Sequence, residues 1–298
     1  MNKGLFYAAG AYILWGLLPV YWKALSAVSP AQILAHRVVW ALLVALVLVV
    51  GRGKWRWLAE AARSPRTLLT FLATATLISV NWGIYIWAVN SGHVVETSLG
   101  YFINPLVSVL LGVVMLGERL RFAQGIAIGL AAAAVIYLTV QYGTLPWISL
   151  TLAFSFGLYG LLRKTAKLDS LEGFSLETLL LFVPALGFLL LREQQGQGAF
   201  LHTSLQDNLL LMGSGIATAV PLLLFAGGAR RIRLSTLGLL QYIAPTLQFL
   251  LGVLVYGEAL SSARLFGFVM IWLALVIYSA EGLWQNRSTA PQRLRAEG

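Results

Sequence analysis

Ten apolar segments follow one another through the 298-residue sequence, and this pattern limits the fold more than any other feature. A helix of roughly 20 apolar residues crosses the hydrocarbon layer of a bilayer. Only 11% of the residues are charged and 59% are hydrophobic, whereas soluble domains carry about 25% charged residues. We therefore predict an all-α integral membrane protein with ten transmembrane helices. The predicted spans are 4–22, 31–50, 67–89, 96–116, 122–140, 145–162, 173–191, 208–227, 234–256 and 264–281.

The distribution of basic residues predicts the orientation in the membrane. Lysine and arginine are retained on the cytoplasmic side in short loops. With the N-terminus inside, every lysine and arginine except Lys23, Arg37, Arg192 and Arg264 falls at that side. We predict that both termini are cytoplasmic. Because the basic residues are spread over several loops that would face anionic lipid, the net charge of +10 does not indicate a nucleic-acid partner.

One passage occurs twice. Residues 103–120 read INPLVSVLLGVVMLGERL and residues 243–260 read IAPTLQFLLGVLVYGEAL, with nine of eighteen positions identical. The copies fall in the fourth and ninth predicted spans. An odd number of crossings therefore separates them, and they would run in opposite directions. A shorter match pairs residues 15–17, WGL, with 156–158, FGL.

The duplication predicts two inverted five-helix repeats, at 1–142 and 143–283, followed by a disordered cytoplasmic tail at 284–298. Inverted repeats are typical of secondary transporters, in which the substrate site lies near the membrane midplane between the halves.

The repeated GERL and GEAL sequences, which close the fourth helix of each repeat, resemble the EamA family of the drug/metabolite transporter (DMT) superfamily. Three segments resemble its RarD-type permeases in particular: HRVVW at 36–40, NWGIYIWAVNSGHVVETSLGYFINPL at 81–106 and LSTLGLLQYIAPTLQFLLGVLVYGE at 234–258. The resemblance extends over residues 1–283. It implies a permease or exporter of the bacterial inner membrane, but no particular substrate.

Arg37 is the most costly side chain within the predicted spans, because an arginine at a helix centre costs about 2.5–3.5 kcal/mol on insertion scales. It either extends back to the outer headgroups or faces the bundle interior. In the interior it would bind an anionic group or pair with Glu96, the one acidic residue that we expect to reach a central cavity. His36 is a candidate for proton coupling, since its unperturbed pKa lies near neutral pH; a hydrogen-bonded structural role is the alternative.

Polar and aromatic side chains on several spans form the candidate substrate site. Such residues either pack membrane helices together or line a cavity, and a buried amide without partners is costly. We expect Trp82 and Trp87 to lie in the outer interfacial belt instead. The candidates for substrate binding are Tyr12, Trp15, Arg37, Asn81, Tyr85, Tyr101, Asn104, Gln241 and Tyr242.

Glu118 and Glu258, the repeated acids, each follow a glycine that ends one helix and precede the start of the next. We expect them to complement helix N-termini rather than to act as a pair of acids. The three histidines have no metal-ligand spacing, no ATP-binding motif is present, and the sequence has no cysteine. These observations argue against an enzyme, a cofactor or a metal site.

The sequence thus predicts a secondary transporter that exports small organic metabolites or drugs by alternating access. The expected partners are an amphipathic or anionic small molecule and the lipid bilayer. A flippase for lipid-linked substrates and a non-transporting membrane scaffold are the alternatives. A carrier would show a polar and aromatic central cavity, a flippase a lateral opening, and a scaffold a filled core.

Overall fold

A computed structural model describes residues 3–53, 55–90, 94–142, 147–255, 262, 265–267, 269–274, 276–277 and 280, and there the chain consists of helices joined by short connections. The helices are α1 (Lys3–Ala24), α2 (Pro30–Arg52), α3 (Arg56–Ala62), α4 (Pro65–Asn90), α5 (Val94–Leu116), α6 (Phe122–Tyr142), α7 (Trp147–Thr165), α8 (Ser170–Gln194), α9 (Leu205–Ala229), α10 (Leu234–Leu240), α11 (Ile243–Leu250) and a π-helical turn, Leu251–Val255. Six of them are long and apolar enough to cross a membrane by themselves: α1, α2, α4, α6, α8 and α9.

Local signals set several helix ends. Gly53 adopts a left-handed conformation, with φ of 62°, and its N–H bonds to the last carbonyls of α2, which is the usual glycine stop. Asp169 and Glu172 form a capping box at the start of α8. The hydroxyl of Ser204 accepts a hydrogen bond of 3.0 Å from the N–H of Asp207 at the start of α9. These short-range contacts explain why the observed bounds lie close to the predicted spans.

Among the described residues, the structure adds to the predicted spans in one place and departs from them in another. The short helix α3 lies in the connection between the second and third predicted spans. The ninth predicted span is broken, because α10 ends at Leu240 and α11 begins at Ile243. Pro245 has no N–H to donate to the carbonyl of Gln241, four residues earlier, so the regular ladder cannot continue there. The break places Gln241 at an interruption between two short helices.

Glycines allow two pairs of helices to approach closely. A Cβ atom on Gly16 of α1 would lie 2.8 Å from the Cβ of Leu247 on α11, and one on Gly157 of α7 would lie 2.8 Å from a methyl group of Val107 on α5. Small residues at such crossings are typical of membrane helix packing. The two glycines come from the matching WGL and FGL sequences, so equivalent positions make equivalent contacts.

The outer surface of the bundle is strongly apolar. Large hydrophobic side chains are exposed along most of the described helices, and Phe122, Val183 and Leu254 are each at least 74% exposed. Single exposed apolar residues are common on soluble proteins, but continuous apolar surface marks contact with another apolar phase. The exposed side chains indicate a surface that faces lipid.

Glu118 ties the end of α5 to another helix. Its carboxylate accepts hydrogen bonds from the N–H groups of Leu234, at 2.6 Å, and Ser235, at 2.9 Å, and from the Ser235 hydroxyl at 2.7 Å. Glu118 therefore caps α10. We had expected it to cap α6, the next helix in the sequence. Gly117, with φ of 64°, turns the chain back on α5 and directs the carboxylate towards α10. Glu258 lies outside the described residues.

The environment of Glu118 shifts its titration. Partial burial alone would raise the pKa of its carboxyl group, but the three hydrogen bonds from Ser235 and Leu234 stabilise the charged form. The net effect is a pKa below the ordinary value of 4.5. The carboxylate therefore remains charged in its capping position across the neutral range.

Candidate functional site

A cavity of about 120 Å³ lies among α1, α2, α4, α5, α7 and the α10–α11 break. Eight of the nine predicted binding residues line it: Tyr12, Trp15, Arg37, Asn81, Tyr85, Tyr101, Asn104 and Gln241. The wall also includes side chains that we did not predict, among them Trp22, Trp82, Phe156 and Gln248. Residues that are distant in sequence thus converge on one polar and aromatic space.

Arg37 faces the bundle interior. Its Nε donates a hydrogen bond of 3.0 Å to the hydroxyl of Thr218 on α9. The guanidinium carbon lies 4.6 Å from the ring centroid of Trp22 and 4.4 Å from that of Trp82. Both distances suit cation–π attraction, which strengthens when the cation is desolvated. The side chain of Glu96, which we considered as a partner, lies outside the described residues.

We expected Trp82 to lie in the interfacial belt, but its ring covers the Arg37 guanidinium on the cavity wall. Trp87 does lie on the outside: it is 47% exposed, and its ring lies 5.8 Å from that of Trp147. An offset of five residues places the two tryptophans on different sides of α4. Sequence position alone does not separate the roles, because both occur near the same predicted helix end.

Asn81 joins α4 to α7 at the cavity. Its Nδ2 donates 2.9 Å hydrogen bonds to the carbonyl of Leu152 and to the hydroxyl of Ser155. One turn later on α4, the ring of Tyr85 meets that of Tyr101 on α5 at 5.7 Å, close to edge on. The amide therefore has a structural role, and the two tyrosines provide the adjoining part of the wall.

Three buried polar atoms on the cavity wall have no hydrogen-bond partner among the described residues: Oη of Tyr12, Oδ1 of Asn104 and Oε1 of Gln241. These side chains are 1%, 2% and 6% exposed, respectively. Buried polar atoms are almost always paired. Their convergence on one cavity leaves hydrogen-bonding capacity for a molecule bound there.

Two predicted residues lie elsewhere. Tyr242 points away from the cavity and donates a hydrogen bond of 3.2 Å to the carbonyl of Phe102. The ring of His36 lies 5.4 Å from that of Phe200, in the loop before α9, and His36 is not part of the cavity wall. His36 precedes Arg37 directly, and neighbouring residues on a helix point in different directions.

One buried acid, Glu177, was not among the predicted site residues. Glu177 on α8 is 3% exposed and packs against α7. The hydroxyl of Tyr159 donates to its Oε2 at 3.3 Å, and Nε of Arg163 lies 3.7 Å from its Oε1. A signal was available, because Glu177 is the one acidic residue within the predicted span 173–191. Intramembrane ionisable groups are functional candidates by default.

A solved structure has a similar fold. One crystal structure superimposes with a TM-score of 0.71 over 93% of this chain and 97% of its own, at 20% sequence identity. At that identity the likeness concerns the fold alone.

Sequence comparison is more specific. The EamA-like transporter family matches residues 2–140 and again residues 145–280. Protein RarD of Streptomyces exfoliatus is 50% identical, covering 99% of this chain and 93% of the relative. The uncharacterized transporter YojE of Bacillus subtilis is 45% identical, covering 96% and 97%. Protein RarD of Escherichia coli is 41% identical, covering 97% and 98%.

These relatives match nearly their whole length, and the apolar helices agree with a multi-pass protein of the bacterial inner membrane. Such transporters move small molecules across the bilayer and are not enzymes. The chain belongs to the EamA family of drug/metabolite transporters, among its RarD-type proteins.

Proposed function

We propose that the protein is a secondary transporter that exports amphipathic or anionic small organic molecules, and that the cavity around Arg37 is the substrate site. The observation that carries this proposal is the convergence of a partly buried cation and three unpartnered polar atoms on one cavity. A filled core would have favoured a scaffold. Ligand sites typically combine apolar walls with a few convergent polar groups.

The wall chemistry suggests the substrate class. Arg37 would attract a carboxylate or another anionic group within a space shielded from water. The amide oxygens of Asn104 and Gln241 would accept hydrogen bonds from N–H or O–H groups. The rings of Trp15 and Phe156 offer apolar surface for the remainder of the molecule.

The size of the cavity bears on the transport mechanism. Its volume of about 120 Å³ is below the roughly 300–1,000 Å³ of typical small-molecule pockets. Helices or side chains would have to move to admit an organic substrate. Such movement is what alternating access requires, and we propose that it occurs between the halves 1–142 and 143–283.

The equivalent contacts of Gly16 and Gly157 support this division into two inverted halves. With both termini cytoplasmic, the turn after α1 would lie outside and α3 would lie inside. Because the chain has no cysteine, single-cysteine variants at the exposed residues Ser26 and Ala62 would report the orientation. A membrane-impermeant thiol reagent added to intact cells should label Ser26→Cys and leave Ala62→Cys unlabelled.

Transport assays on proteoliposomes test the proposal. Vesicles loaded with a metabolite mixture, with and without a proton gradient, would be analysed by mass spectrometry for compounds that leave only in the presence of the protein. Arg37→Ala and Asn104→Ala should reduce that flux. Arg192→Ala is the matched control, because this partly exposed arginine on α8 lies against Phe188 and does not line the cavity.

Unchanged flux in both cavity variants would contradict the proposed site. Flux of labelled lipid, without flux of any soluble metabolite, would favour a flippase. His36→Ala belongs in the same series, because His36 is the residue that the sequence made a candidate for proton coupling, whereas Glu96 was a candidate ion-pair partner of Arg37.

A further inference from the structure

A cluster of ionisable side chains lies between α7 and α8, separate from the central cavity. Arg163 and Tyr159 are each 1% exposed, and Glu177 is 3% exposed. None of the three lines the cavity around Arg37. Burying an ion pair costs several kcal/mol per ion in desolvation, and close hydrogen-bonded geometry is needed to recover that cost.

The geometry of this pair is loose. Nε of Arg163 lies 3.7 Å from Oε1 of Glu177, and Oε1 has no hydrogen-bond partner in the described part of the chain. Arg163 instead donates from Nη2 to the carbonyl of Ser170, at 2.9 Å. The guanidinium thus contacts both Glu177 and the first turn of α8. One oxygen of the buried carboxyl group remains available to a proton.

Two ionisable groups, both on α7, face Glu177 among the described residues. Arg163 and Tyr159 face it from α7, and the hydroxyl of Thr74 faces it from α4. The neighbouring side chains from α2 and α9 are uncharged: Val38, Ala41, Thr218 and Leu222. Any gain or loss of a proton in this cluster near neutral pH would therefore centre on Glu177 and its two partners.

The cluster is linked to the central cavity through shared side chains. A void of about 10 Å³ beside Glu177 is also lined by Trp82 and Thr218, and these two side chains hold Arg37. The void is close to the size of one water molecule.

A second link passes through aromatic rings. The ring of Tyr159 stacks on that of Phe225, at 5.9 Å and 16°. Phe225 in turn lies 5.5 Å from the ring of Trp15 on the cavity wall. A change in the position of Glu177 or Tyr159 would thus be transmitted to the substrate site by direct packing.

We propose that Glu177 is the proton-binding group that couples proton movement to substrate transport, an inference that rests on the proposed transport function. A proton from water binds Oε1 and converts the carboxylate into a neutral acid. Arg163 then loses its counterion. A buried, unpaired guanidinium is strongly unfavourable, so the bundle would shift to a packing in which Arg163 is solvated. Release of the proton to the other side of the membrane, and re-formation of the pair, would complete the cycle.

Infrared difference spectroscopy on the purified protein tests the protonation step without a substrate. Spectra between alkaline and acidic pH should show a band from a protonated buried carboxyl group in the wild type and in Glu177→Asp. Glu177→Gln should lack a component of this band that Glu118→Ala retains, because the Glu118 side chain is also largely buried. Glu193→Gln, which changes the exposed acid at the other end of α8, is the matched control and should retain it.

Tyr159→Phe provides a second variant that keeps the carboxyl group. Loss of the hydroxyl that donates to Oε2 should shift the appearance of the band towards higher pH. If Glu177→Gln does not fold, this shift decides the question. A folded Glu177→Gln protein that retains the whole wild-type band, or a band that Tyr159→Phe leaves at the same pH, would overturn the inference.

Transport measurements separate this inference from the proposed function. Glu177→Gln should lose the stimulation of flux by a proton gradient, while substrate exchange across vesicles without a gradient continues. If Glu177→Gln responds to the gradient as the wild type does, Glu177 is not the coupling group although the protein is a transporter. If the wild type moves no substrate in either assay, the proposed function fails, and the coupling role that depends on it fails as well.

Discussion

The rings of Trp15 and Phe156 meet edge to face, with centroids 5.6 Å apart and planes at 78°. The two residues begin the matching WGL and FGL sequences on α1 and α7. Each precedes a glycine at which its helix packs closely on another. The same position in the two predicted repeats therefore supplies one ring to the cavity wall from each side.

Methyl groups added at the two glycines should destabilise the protein to a similar degree. Gly16→Ala and Gly157→Ala would each place a Cβ 2.8 Å from a packed side chain, and overpacking of this kind costs about 1–3 kcal/mol. Gly129→Ala on α6, which meets nothing within 4 Å, is the control. Thermal unfolding in detergent measures the effect, and equal stability of all three variants would refute the proposed close contacts.

Removal of unpartnered polar atoms from the cavity should preserve or increase stability but weaken transport. The hydroxyl of Tyr12 and Oδ1 of Asn104 lack partners among the described residues, so Tyr12→Phe and Asn104→Leu remove a desolvation cost of about 1–3 kcal/mol. Substrate flux should nevertheless fall.

Tyr242→Phe is the contrasting variant. It breaks the bond to Phe102 and should lower stability by about 0.5–1.5 kcal/mol. A comparable loss of stability in Tyr12→Phe would show that its hydroxyl is paired in the folded protein.

Arg37 should bind substrate through both its charge and its planar shape. Arg37→Ala is expected to weaken the binding of anionic substrates by about 10- to 100-fold, the usual range for hydrogen bonds to charged groups. Arg37→Lys retains the charge but loses the planar stacking, so its affinity should be intermediate. Quenching of the fluorescence of Trp22 and Trp82, which flank the guanidinium, provides the measurement. Equal affinity of all three proteins would exclude Arg37 from the site.

Glu118 should stabilise the protein in a pH-dependent way. Its folded pKa is lowered below the ordinary value of 4.5, so its contribution is fully present above that value and is lost as the pH falls through the folded pKa. Glu118→Ala should cost about 0.5–2 kcal/mol at neutral pH, as the loss of a helix cap usually does. The difference from wild type should shrink in acid.

Glu60→Ala, at an exposed position on α3, is the control for Glu118 and should show no comparable effect. Unfolding at neutral and acidic pH gives the comparison. A difference between wild type and Glu118→Ala that stays constant with pH would contradict the capping role of the charged carboxylate.

The sequence was sufficient to predict an all-helical chain with long apolar helices and to name eight residues that line the cavity, because polar groups are costly in hydrocarbon. That cost favoured the interior for Arg37 and Asn104, but the sequence left other placements open. Trp82 was misjudged because a tryptophan near a helix end suits an interface equally well. The role of Trp82 follows only from its contact with Arg37, which lies on another helix. Glu177 was missed because its partners on α7 are not evident from its own segment.

Contacts between distant helices were also beyond the sequence. The motif around Glu118 indicated a helix cap, but the capped helix, α10, lies more than a hundred residues later. The break between α10 and α11 was not predicted either, although Pro245 follows it closely. A proline in the interior of a membrane helix does not always break it, since α1 continues through Pro19 and α5 through Pro105.

The central claim is that the cavity serves as a substrate site with access from both sides of the membrane. In this cysteine-free chain, Ala244→Cys places a single thiol on the cavity wall, and Ala134→Cys places one in the fully buried contact of α6. Membrane-impermeant thiol reagents applied to either face of oriented vesicles should label Ala244→Cys from both faces. The transported substrate should protect it, and Ala134→Cys should remain unlabelled. No labelling of Ala244→Cys from either face, or labelling that substrate leaves unchanged, would contradict the account.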